Sequence, residues 1–114
     1  MIKTHSGRKL GVTSAHRRAL LRNMTQSLLM HEKVVTTLAK AKELRPFAEK
    51  IITHAIKGKH VLVRRHIHDK IAYQKLFAVL APRYSQKHGG YTRVLHLAPR
   101  SGDNAKRGVI ELIP

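Results

Sequence analysis

Apolar positions recur at helical spacing soon after the chain begins. Thr13 or Ser14 can cap the amides opening AHRRALLRNMTQSLLMH. Leu20, Met24 and Leu28, with Leu21 beside them, form one stripe, which predicts a helix with that stripe in the core. Arg18 and Arg22 share a neighbouring face, and Arg17 lies further round. EKVVTT, residues 32–37, contains a β-branched run and reads as a short strand. A second helix is predicted over residues 38–56, where Ala39, Leu44, Phe47, Ala48, Ile51, Ile52 and Ala55 supply an apolar surface. Pro46 removes a helical donor and crowds the preceding turn, so the helix either kinks or splits into 38–45 and 46–56. Apolar periodicity resumes directly after Pro46, which favours a continuous, bent helix ended by Gly58.

Residues 60–81 are helical in pattern but interrupted. Residues 60–68 form one segment, with Arg64 and Arg65 facing outward. Asp69 caps the next, whose Ala72, Leu76, Phe77 and Leu80 make a buried stripe, and Pro82 closes it. KHGG at 87–90 is a flexible turn. Alternation then replaces helical spacing: in YTRVLHLA, Tyr91, Arg93, Leu95 and Leu97 share one face, and Thr92, Val94, His96 and Ala98 the other. GVIELI, residues 108–113, is a further strand, and the loop between has Gly102-Asp103-Asn104 at its tip. Two strands so close in sequence predict an antiparallel hairpin. With the strand near residue 34 they make a small sheet packed against several helices, an α+β, two-layer single domain over residues 15–114. Residues 1–14 show neither periodicity. They read as a frayed terminus or as a basic arm carrying Lys3, Arg8 and Lys9 between phosphate backbones.

Charge turns this outline toward function. The 114 residues carry 23 Lys and Arg against six Asp and Glu, a formal net charge of +17. Such an imbalance costs a compact domain stability through self-repulsion, and a polyanionic partner converts it into binding energy. No stretch reaches the roughly 18 consecutive apolar residues of a spanning helix, so no membrane insertion is expected and nucleic acid is the leading partner. Arg17, Arg18 and Arg22 on the first helix, Arg93 and Arg100 at the hairpin, and Arg8 with Lys9 in the arm are the candidate contacts, because a guanidinium can hold two phosphate oxygens. Tyr91 either stacks on a base or completes the core. Basic residues distributed over an arm, helices and a hairpin suit folded RNA better than one groove-reading helix would suit DNA.

The enzymatic alternatives are thin. Nine histidines include His66 and His68, but on a helix two positions differ by about 200°, and no Cys is present to complete a metal site. The dispersed carboxylates form no pair, and Gly89-Gly90 is too brief for a phosphate-cradling loop. No cofactor or metal is expected. Two other classes remain open: an independent DNA-binding protein, marked by duplex preference and a stable free dimer, and an RNA-processing enzyme built on a set such as His66, His68 and Asp69.

Several segments, in order, resemble the bacterial-type large-subunit ribosomal protein seventeen family. They are SGRKLG at 6–11, SAHRRALLRNM at 14–24, TTLAKAKELRPFAEKIIT at 36–53, LAPRY at 80–84, GGYTRV at 89–94, PRSGDNA at 99–105 and VIEL at 109–112. The resemblance implies a non-catalytic structural component of the large ribosomal subunit that binds large-subunit rRNA. It also implies neighbouring ribosomal proteins near the peptide exit region, no obligate homo-oligomer, and a bacterial or organellar ribosome. Carried over position by position, it marks His16, Arg17, Arg18, Arg22 and Asn23, then Tyr91, Thr92 and Arg93, then Arg100, Asp103 and Asn104 as RNA-contacting. Lys106 and Arg107 join the last group although the family is often less basic there. Residues 57–74, with VLVRRHIH, match the family least, and no contact is transferred to them.

Overall fold

The computed structural model describes residues 13–114. The chain runs α1 (Ser14–His31), β1 (Lys33–Thr37), α2 (Leu38–Ile56), α3 (His60–Arg64), α4 (Lys70–Lys75), a π-helical turn (Leu76–Leu80), α5 (Ala81–Arg83), β2 (Thr92–Leu97) and β3 (Arg107–Leu112). Lys3, Arg8 and Lys9 lie outside the described residues.

The sheet has the order β1-β3-β2, with both pairings antiparallel, so the last strand lies between the other two. Val34, Ile110 and Val94 align across it and pack on the helical layer. Val35, Val109 and Leu95 align on the opposite face, where Val35 and Leu95 are exposed. Gly108 sets the spacing at the start of α2. A Cβ there would stand 3.0 Å from Leu38 Cδ1 and 3.3 Å from the Leu95 carbonyl oxygen.

α2 carries the centre of the core, burying Leu38, Ala41, Leu44, Ala48, Ile51, Ile52 and Ala55. Ala41 takes the place expected for Ala39, and Phe47 is only half-buried. Pro46 lies within an unbroken helix and is exposed, so the carbonyl four residues earlier loses its partner on the solvent side, where water can replace it. At the C-terminus, Lys59 N donates to His54 O at 2.9 Å and Gly58 N to Ala55 O at 3.0 Å, with Gly58 at φ 73°. These paired bonds form a Schellman motif, in which the left-handed position favours Gly.

Local expectations shift in four places. The buried face of α1 is centred on Leu21, Thr25, Leu28 and Leu29, while Leu20 and Met24 are half-buried. Thr25 joins the core because its hydroxyl donates to Leu21 O at 2.7 Å, which a polarity pattern does not reveal. Glu32 is a left-handed helix cap with φ 62°, not the first strand residue. The segment read as helical over 60–68 stops at Arg64, because Gln26 Oε1 accepts from His68 N at 2.9 Å and Asp69 N at 2.8 Å. Asp69 then caps α4 through Ile71 N and Ala72 N. Lastly, Pro82 does not close the helical run. The preceding turn widens so that Ala81 N bonds to Leu76 O, and α5 continues through Pro82 to Arg83.

Candidate nucleic-acid interface

The six carboxylates all serve the fold. Glu32 receives Lys75 Nζ at 3.0 Å and Arg83 Nη1 at 2.5 Å, which fastens the end of α1 to the helical run on the other side. Those hydrogen bonds, Arg83 first and Lys75 second, hold the Glu32 carboxyl down to about 2. Glu43 pairs with Arg17 at 3.4 Å and Glu49 with Arg45 at 3.6 Å. Asp69 caps a helix, Asp103 pairs with Arg100 at 2.5 Å, and Glu111 pairs with Arg93 at 2.5 Å. Six cations therefore find an acidic partner, and most of the positive charge has none among the described residues.

The predicted contact residues fall into distinct environments. His16, Arg18 and Asn23 are exposed along α1. Arg17 is tied to Glu43, and Arg22 Nε–H donates to His66 Nδ1 at 3.4 Å. Arg93 and Arg100 are exposed but paired, and Arg107 donates to the Ala98 carbonyl at 3.0 Å across the base of the hairpin. Asp103 shapes the hairpin loop: its carboxylate also accepts from Ala105 N at 3.1 Å, and the Arg100 hydrogen bond holds it at about 2. Asn104 is exposed at φ 55°, and Lys106 joins Lys42 around a shallow cavity of about 410 Å3 at the start of α2.

Tyr91 takes the second of its two readings and completes the core, and Thr92, marked by the resemblance as an RNA contact, is buried beside it. Each is 1% exposed. The Tyr91 ring packs 5.2 Å from the Tyr84 ring, and its hydroxyl donates to Lys87 O. Thr92 donates twice to Glu49 Oε2, from N at 3.2 Å and from Oγ1 at 2.8 Å. A base needs an open ring face to stack on, and in this fold Tyr91 presents none.

Basic side chains not singled out from the sequence as RNA contacts complete the surface. Lys50 and His54, one turn apart on α2, line a cavity of about 210 Å3 with Phe47, Ile51 and His66. The His66 ring meets Phe47 edge-on with centroids 5.2 Å apart. Burial lowers the affinity of His66 for a proton, and Arg22, His54, Lys50 and Arg65 lower it further. Burial likewise depresses His54, with Lys59, Lys50 and Lys57 adding to the effect. As an acceptor at Nδ1, neutral His66 carries its proton on Nε2. Arg17, Arg22, His66, Lys50 and His54 thus follow one side of α2, and no carboxylate lines the cavity at its far end. The Lys50–His54 spacing was readable in the sequence; the arrival of His66 from the α3–α4 link was not.

The model of the family described as Ribosomal protein L17 matches residues 20–113. The chain belongs to the ribosomal protein L17 family. Large ribosomal subunit protein bL17 of Elusimicrobium minutum is 48% identical over 113 residues, covering 99% of both chains. Its counterpart in Trichlorobacter lovleyi is 49% identical over 116 residues, covering 99% of this chain and 94% of its own. The Endomicrobium trichonymphae protein of the same name is 45% identical over 116 residues, with 99% of each chain covered. In this L17 family member, no group of three or more His, Cys, Asp or Glu among the described residues could hold a metal ion. Among them, too, no helix is long and apolar enough to cross a membrane. His66, His68 and Asp69 form no acid–base set: His66 faces Arg22, and the Asp69 carboxylate is engaged by helix amides.

Proposed function

We infer that this chain is a structural constituent of the large ribosomal subunit that binds and stabilises large-subunit rRNA, and that it has no catalytic role. The match along nearly the whole length to bacterial large-subunit proteins carries this reading. Its physical means is the cationic surface that the carboxylates leave uncompensated. Arg18, His16 and Asn23 on α1, the Arg22–His66–Lys50–His54 group, and Lys106 with Asn104 at the hairpin loop are the contacts we assign. Arg17 holds the fold through Glu43; Arg93, Arg100 and Arg107 also hold it and offer their remaining N–H groups to phosphate. The arm that precedes α1 brings Lys3, Arg8 and Lys9 to the same RNA. Tyr91, Thr92 and Asp103 act by holding neighbouring segments in place.

The protein works in the bacterial ribosome, beside other large-subunit proteins near the peptide exit region. Crosslinking in cells, with sequencing of the attached nucleic acid and separation of ribosomes on a gradient, tests this. Reproducible crosslinks to large-subunit rRNA with comigration in that subunit are expected. Crosslinks mainly to genomic DNA, without comigration, would make independent DNA binding the better account.

A further inference from the structure

Residues on α3, the α3–α4 link and α4 build a second cationic cleft. Arg64, Ile67, His68, Lys70 and Tyr73 bound a cavity of about 360 Å3. The Arg64 guanidinium carbon lies 5.1 Å from the centroid of the Tyr73 ring. Tyr73 is fixed in turn: its hydroxyl is 2.6 Å from His60 Nδ1, and its ring centroid is 4.8 Å from that of Phe77. His60 stacks on Phe77 with centroids 4.1 Å apart and planes 14° from parallel. A planar cation therefore rests on an anchored aromatic cluster, while Arg64 itself is exposed.

We propose that this cleft takes an unstacked nucleotide, its base lying against the outer face of the Arg64 guanidinium and its phosphate between His68 and Lys70. Three features point to a nucleotide. Single-stranded RNA is held by aromatic rings and guanidinium planes, which accept any base face. Arg64 offers such a plane already oriented by Tyr73, so little side-chain freedom is lost on binding. No carboxylate lines the cleft, and Asp69, next to it in the chain, directs its Oδ1 to the amides of Ile71 and Ala72. The cleft also adjoins the α1 surface, because Gln26 on α1 holds the His68 and Asp69 amides. An RNA strand following Arg18 and Arg22 can leave its helix there and splay one base.

This proposal rests on the rRNA reading, and one experiment separates the two. Bases of large-subunit rRNA are probed chemically in complexes with wild-type protein, Arg64→Ala and Arg64→Lys, after thermal unfolding shows that both variants melt like wild type. Lysine keeps the charge but not the plane. The wild type should protect an unpaired base, and both variants should lose that protection with affinity weakened on the order of tenfold. Retained protection with Arg64→Lys would overturn the stacking role, since charge alone would suffice. Protection unchanged in both variants would overturn the site while leaving rRNA binding intact. No wild-type footprint on large-subunit rRNA would overturn both readings.

Discussion

Thr92 provides the sharpest test of how this chain divides its polar residues between fold and RNA. The resemblance marks it as an RNA contact, yet it is 1% exposed and its amide and hydroxyl both donate to Glu49 Oε2. Thr92→Val keeps the side-chain shape and removes one hydrogen bond to a charged acceptor, at a cost of about 1.5–3 kcal/mol. Glu49→Ala leaves two buried donors without an acceptor. At roughly 1–3 kcal/mol each, the loss is about 2–6 kcal/mol. The Arg45 pair adds at most ~1 kcal/mol, because its arginine is half-exposed. The double variant should cost less than the sum of the singles, because Thr92→Val has already removed one of the orphaned donors. Urea unfolding read by far-ultraviolet circular dichroism gives these differences. The salt dependence of rRNA binding, measured with the same proteins while folded, should not change. Stability within about 0.5 kcal/mol of wild type, together with a shallower salt slope for Thr92→Val, would refute the assignment of Thr92 to the fold.

Other expectations follow from the same partition. Arg18→Ala should leave melting unchanged and lower the salt slope of rRNA binding by about one unit; an unchanged slope removes Arg18 from the phosphate contacts. Leu28 is fully buried, so Leu28→Ala should cost about 2–5 kcal/mol through the cavity it leaves, and near-wild-type melting would contradict that packing. His54 and His66 have folded-state proton affinities below the ordinary histidine value of about 6.5, so the unfolded chain takes up protons first. Their contribution to stability is complete above that value and declines as pH falls below it. RNA phosphate favours the charged imidazole, so rRNA affinity should instead rise over the same fall in pH. Replacing both histidines with Gln should flatten both profiles, and profiles as steep as wild type would refute their role.

The amino-acid sequence by itself determined the element order, the nucleic-acid partner and the family. Each is carried by local information: the apolar period of α1 and α2, the alternation near β2 and β3, the capping residues Thr13 and Asp69, the stop at Gly58, and a net charge that no internal partner balances. What tertiary structure decided was which polar groups remain available. Thr25 and Thr92 look like surface residues in a string, but hydrogen bonds to Leu21 O and Glu49 make their burial possible, and the bond from the Tyr91 hydroxyl to Lys87 O decides between its two readings in favour of the core. Arg17, Arg93 and Arg100 look interchangeable with Arg18 until Glu43, Glu111 and Asp103 are brought against them. His66 beside Arg22, and Arg64 over Tyr73, depend on a link whose path Gln26 sets from another helix. Period and composition register each residue's own chemistry, whereas availability for RNA depends on partners supplied by distant segments once the chain has folded.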